Sequence, residues 1–136
     1  YYPPMNSKDL KEHRFGAASH TDFGVLTILL QDMQGGLQVL NQNDEWIEAP
    51  PIENSFVCNI GDLLERWTNG DLKSTKHRVI NLNKSARYSI PIFCDPASQT
   101  IIDPDDFSLS KIKYEKITAG EHISNRNKKN FKQYKA

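Results

Sequence analysis

Long apolar runs are missing from this 136-residue chain, and none approaches the roughly 18 residues that a membrane-spanning helix needs. No basic stretch leading into an apolar segment opens it, so no secretory signal is read. An excess of one charge is missing too. Seventeen basic and seventeen acidic side chains cancel, which leaves no global field to draw the protein to nucleic acid or an anionic membrane. Cysteine is scarce: Cys58 and Cys94 are too few for a disulfide framework, and their spacing is not that of a zinc site. Both lie in apolar, strand-like segments and are expected to be buried thiols in a reducing, cytoplasmic setting. Internal repeats and low-complexity stretches are also absent. What remains is a globular balance, 38% hydrophobic and 25% charged, with enough chain for one domain around one core.

Short apolar segments separated by turn signals fill the stretch from Arg14 to Cys94. Val25–Leu30 is a continuous apolar run containing Thr27, which reads as a strand buried on both faces. Gly35-Gly36 marks a turn before a returning strand, Leu37–Leu40, and Asn43-Asp44 a second turn before Trp46-Ile47. Phe56–Ile60 is a further strand. Asp62 is expected to cap a short helix through Trp67 that ends at Asn69-Gly70. His77–Leu82 and Arg87–Phe93 complete a series that favours an all-β sandwich or small barrel over a parallel α/β fold. Beyond Asp95 the pattern loosens. Ile101–Pro104 reads as a last edge strand and Asp103–Asp106 as a turn or helix start. The polar stretch from Glu121 to Ala136 reads as a solvated terminal helix rather than a nucleic-acid tail.

His20-Thr21-Asp22 is the first feature with chemistry in it. Residues two apart on extended backbone project to the same side, so an imidazole and a carboxylate converge. Such a pair alone is commonplace, and a surface His–Asp hydrogen bond would explain it. His77, fifty-five residues after Asp22 and at the start of a new strand, supplies a third ligand. Two imidazoles and one carboxylate on one face leave octahedral positions open, the facial triad of non-haem Fe(II) oxygenases. A closed zinc site would more typically recruit a cysteine. His13 and His122 lack such partners. His13 is expected to be exposed, and His122, in the polar tail, solvated. Ten residues after His77, Arg87-Tyr88-Ser89 puts a guanidinium and a hydroxyl on one strand face, a pair that can bind a carboxylate.

With these residues in order, the sequence resembles the isopenicillin-N-synthase-like family of 2-oxoglutarate- and Fe(II)-dependent oxygenases. The pieces that carry the resemblance are HTDFGVLTILLQD (20–32), GGLQVL (35–40), W-x-x-APP (46–51), FVCNIGDLLERWTNG (56–70), KSTKHRV (73–79) and RYSIPIF (87–93). The resemblance implies a double-stranded β-helix, a jelly-roll of the cupin type with minor helices and a C-terminal helix. Residues 1–96 would form the oxygenase core and 97–136 a C-terminal extension. It implies iron on His20, Asp22 and His77, and the distal carboxylate of 2-oxoglutarate on Arg87 and Ser89. The opening Tyr1-Tyr2-Pro3 resembles a strand of plant-type members in which the second tyrosine, here Tyr2, contacts the same carboxylate.

The activity implied is oxidation, by hydroxylation or desaturation, of a small-molecule substrate by O2. 2-Oxoglutarate would be split to succinate and CO2, with ascorbate as a reductant. A same-family oxidase that uses no 2-oxoglutarate is the first alternative, and an inactive metal-binding fragment the second. Family members are longer, with N-terminal elements that brace the jelly-roll. The chain is therefore expected to be completed by further protein or to self-associate. Trp46 and Trp67 read as packing anchors, and Gly35, Gly36, Gly61 and Gly70 as turn residues. Phe56 and Phe93 read as core, with pocket lining as the alternative.

Overall fold

The computed structural model describes residues 1–4, 6, 8, 9, 16–107 and 111–130. Strands β1 (Ala17–His20), β2 (Leu26–Gln31), β3 (Leu37–Leu40), β4 (Trp46–Glu48) and β5 (Val57–Ile60) precede a short helix, α1 (Asp62–Trp67). Strands β6 (His77–Val79), β7 (Ser89–Cys94), β8 (Ile101–Ile102) and β9 (Ile117–Thr118) then lead into α2 (Ala119–Asn130). One sheet has the order β1-β6-β3-β4 and a second the order β5-β2-β7. The chain changes sheet at every step from β1 to β7 except the β3–β4 hairpin. That winding is a double-stranded β-helix, as the resemblance implies, with α2 as the C-terminal helix. No helix of the described residues is long and apolar enough to cross a membrane.

Two compact units divide the chain. The first comprises Tyr1–Thr21, Ile28–Cys58 and Thr75–Ile92. Its β1–β6 pairing runs antiparallel from Ala17↔Val79 to His20↔His77, with a one-residue register shift between the two pairs. The same strand β6 pairs on its other side with β3, which sets Val39 opposite His77. Gly35 and Gly36 turn with φ of +76° and +83°, and a Cβ on Gly36 would lie 2.3 Å from the Ile80 carbonyl oxygen. Only glycine meets both demands.

The second unit comprises Asp22–Thr27, Asn59–Ser74 and Phe93–Ala136. Leu63, Ile102 and Ala119 form its buried core, with Val25, Trp67 and Ile117 packed against them. The edge strand read at Ile101–Pro104 is β8, and its partner β9 was not expected. The carboxylate of Asp103 caps a 3-10 turn at Pro104–Asp106 by accepting the Asp105 N–H. Two expectations for α1 need correction. Its N-cap is Gly61, with no side-chain cap bond, because the Asp62 carboxylate pairs instead with Arg126 at 2.6 Å. Gly61 itself has an ordinary φ of −98°. Its need is space, since a Cβ there would sit 2.2 Å from the Gly24 carbonyl oxygen.

Burial differs from expectation along the edges of the strands. Cys58 and Cys94 are exposed, and so are Phe56 and Phe93. Cys58 alternates with Asn59, whose amide turns to Asp22, so the thiol points to the opposite face. Cys94 lies on the same side of β7 as Ile90 and Ile92, 60% and 54% exposed. The apolar run of β2 likewise leaves Leu30 exposed. The expectation of burial assumed cover on both faces of each strand, which these residues lack.

Candidate metal centre and carboxylate clamp

The register shift in β1 sets His20 directly across from His77, with ring centroids 4.3 Å apart. Each ring is oriented by its own strand. His20 Nδ1 lies 2.7 Å from the Ala18 carbonyl oxygen and His77 Nδ1 lies 3.2 Å from that of Thr75. A carbonyl only accepts, so each Nδ1 carries a proton, which leaves Nε2 as the atom available to a metal.

Asp22 is buried and its carboxylate is held by two side chains the sequence reading did not single out. The Thr27 hydroxyl donates to Oδ2 at 2.6 Å, and the Asn59 amide donates to the same oxygen. Two hydrogen bonds to one oxygen fix the carboxylate plane. One ligand atom each from His20, Asp22 and His77 lies within 4.8 Å of the others. Two imidazoles and an oriented carboxylate at this spacing fit a divalent iron. Of the other histidines, His13 lies outside the described residues. His122 is not solvated but buried, 8% exposed within α2. Its surroundings hold its pKa below the ordinary value, through burial first and the nearby Arg66 and Arg126 charges after it.

Arg87 and Ser89 also come together. Arg87 is completely buried and pairs through its backbone with Tyr2, the N–H of each meeting the carbonyl of the other at 2.8 and 2.9 Å. Its guanidinium carbon stands 5.0 Å from the Tyr2 ring centroid. Nη1 donates to Ser89 Oγ at 3.1 Å and Nη2 to Gln31 Oε1 at 2.9 Å, while Nε has no partner among the described residues. Burial works against the Arg87 charge, and Tyr2 and Asp32 oppose that effect. A buried guanidinium with a donor left over fits an anionic ligand, which would satisfy it. Gln31 was missed because its role appears only once β2 and β7 lie side by side.

Comparison with known proteins points the same way. The model of the 2OG-Fe(II) oxygenase superfamily matches residues 1–96. Homoarginine-6-hydroxylase 2-ODD-C23 of Glycine max is 38% identical over 132 residues, 93% of this chain and 40% of that protein. The 1-aminocyclopropane-1-carboxylate oxidase of Dictyostelium discoideum is 50% identical over 101 residues, 72% of this chain and 27% of that protein. A full-length protein of Neurospora crassa, its crystal structure solved in complex with alpha-KG, superposes with a TM-score of 0.80 at 41% identity, covering 92% of this chain and 42% of that one. The chain thus spans less than half the length of each of these relatives.

Proposed function

This chain belongs to the 2OG-Fe(II) oxygenase superfamily, and we propose that it carries the core of a 2-oxoglutarate- and Fe(II)-dependent dioxygenase acting on a small molecule. In this reading His20, Asp22 and His77 hold the iron, Arg87 and Ser89 grip the distal carboxylate of 2-oxoglutarate, and Tyr2 lines that grip. The observation that carries it is the meeting of the three ligand atoms within 4.8 Å. Fe(II) with 2-oxoglutarate supplies the activation of O2, with release of succinate and CO2 and oxidation of the substrate. The protein's own part is to orient. Nδ1 protons bonded to the Ala18 and Thr75 carbonyls aim the two imidazoles, Thr27 and Asn59 hold the carboxylate, and the buried guanidinium fixes the far end of the oxo acid. Holding both reactants in register converts an encounter into an oriented step.

All of these residues lie within 1–96, which we assign as the oxygenase core, with 97–136 as its C-terminal extension. Exposed Leu30, Ile90 and Ile92 form an apolar sheet face of the kind that further protein, or a second copy, covers. The exposed thiols of Cys58 and Cys94 suit a reducing compartment such as the cytoplasm. A second reading, an oxidase that uses no 2-oxoglutarate, is favoured by the 50% identity to the Dictyostelium oxidase. Succinate formation from 2-oxoglutarate with Fe(II), ascorbate and O2 separates the two. Succinate above the no-protein control supports the dioxygenase. Its absence, with stoichiometric iron bound and 2-oxoglutarate failing to bind, supports the oxidase.

A further inference from the structure

The turn that carries Asp22 is held by backbone bonds from two directions. The N–H groups of Asp62 and Leu63, at the start of α1, donate to the carbonyls of Asp22 and Gly24 at 2.8 and 3.0 Å. The Val25 N–H donates to Asp95 Oδ1 at 3.0 Å. Phe23, at the middle of that turn, is engaged by α2 instead. The buried His122 ring lies close to the Phe23 backbone, and the Arg126 guanidinium lies over the Phe23 ring at 4.9 Å. Arg126 also ties back to α1 through its 2.6 Å bond to Asp62 Oδ2. His122 Nε2 is buried with no partner among the described residues, which is destabilising, and a leucine of similar bulk would avoid that cost. What a leucine cannot supply is a polar group beside the Phe23 backbone.

We propose that His122 and Arg126 are positioning residues for the metal centre, which hold the Asp22–Gly24 turn so that the Asp22 carboxylate keeps its place. The proposal rests on the reading of Asp22 as a metal ligand. It gives the C-terminal helix, outside the stretch that the family model matches, a part in a site built entirely within that stretch. Thr27 and Asn59 set the plane of the carboxylate; α1 holds the backbone on either side of Phe23, and α2 holds Phe23 itself. Loss of either α2 contact lets the turn shift, and a ligand displaced by even a fraction of an ångström weakens the metal.

Co(II), which is visibly coloured and inert to turnover, is the probe, titrated at a temperature where every variant is folded by circular dichroism. His122→Leu should weaken Co(II) binding by about tenfold or more, the usual effect of losing a group that orients a ligand, and change the visible spectrum of the bound ion. His122→Gln, which keeps a donor, should stay near wild type. Ile102→Val lowers the stability of the same unit while keeping His122 and Arg126, and should also bind as wild type. Arg126→Met is read in the same titration and carries the test if His122→Leu does not fold. Wild-type affinity and spectrum in His122→Leu or Arg126→Met, with binding lost in His77→Ala, overturn the brace alone. An equal loss in Ile102→Val overturns it too, by showing that stability rather than position is being read. Unchanged binding in His77→Ala removes the metal assignment and the brace with it.

Discussion

Replacing Arg87 by lysine keeps the charge and removes the fork. The guanidinium is fully buried and its two terminal nitrogens are spread between Ser89 Oγ at 3.1 Å and Gln31 Oε1 at 2.9 Å. Nε is left to meet a ligand oxygen, and the Tyr2 ring stands 5.0 Å from the guanidinium carbon. A lysine ammonium at the end of a thinner stem cannot hold Gln31, Ser89 and a carboxylate in one plane. The loss expected is that of one charge-assisted hydrogen bond, about 1.5–3 kcal/mol, so that the Kd for 2-oxoglutarate rises roughly 10- to 150-fold. Calorimetric titration of 2-oxoglutarate into wild type and Arg87→Lys, each loaded with Mn(II) so that nothing turns over, measures it. Mn(II) affinity should not change, because Arg87 holds none of the three ligands. Equal 2-oxoglutarate affinity in a folded Arg87→Lys would falsify the clamp.

Thr27→Val keeps the shape of the side chain and deletes the 2.6 Å bond to Asp22, so metal affinity should fall about tenfold; wild-type Co(II) binding would remove Thr27 from the site. Gly61→Ala would place a methyl 2.2 Å from the Gly24 carbonyl oxygen, a backbone contact that cannot swing aside. The cost expected is about 3 kcal/mol, and an unchanged urea midpoint would show that the turn has slack. Burial holds His122 below its ordinary value of 6.5. The folded protein therefore keeps this ring neutral while the unfolded chain takes up a proton as pH falls below about 6.5. Its contribution to stability is complete above that pH and is lost towards the lower folded value. His122→Gln should flatten the fall of the urea midpoint as pH drops below about 6.5, and an unaltered slope would show that His122 is not neutral in the fold.

The candidate ligands and the proposed clamp were legible from their spacing, although Asp22 lies just past the end of β1 and Arg87 just before β7. His20 and Asp22 are two apart, as are Arg87 and Ser89, and the type and order of these side chains already describe the chemistry. The supports were not legible. Thr27 and Asn59 sit inside the motifs quoted for the resemblance, but nothing local says that their side chains meet on one carboxylate oxygen. The register shift that brings His20 opposite His77 is a property of two strands, invisible in either alone. Short strands were placed well from turn signals, whereas β9 was missed because Ile117-Thr118 is too short to show a period. Burial was misjudged in both directions, for a different physical reason in each. Apolar Cys58, Cys94 and Phe93 lie on faces this chain does not cover. The polar α2, by contrast, buries a histidine because its neighbours Asp62, Arg66 and Arg126 and the Phe23 backbone form a polar setting that composition cannot reveal.

Anaerobic titration of Fe(II) into wild type and His77→Ala bears most directly on the metal centre. Wild type should take up one equivalent per chain, and His77→Ala, folded by circular dichroism, should lose stoichiometric binding because two ligands cannot hold what three do. Equal Fe(II) affinity in the two proteins would contradict the site.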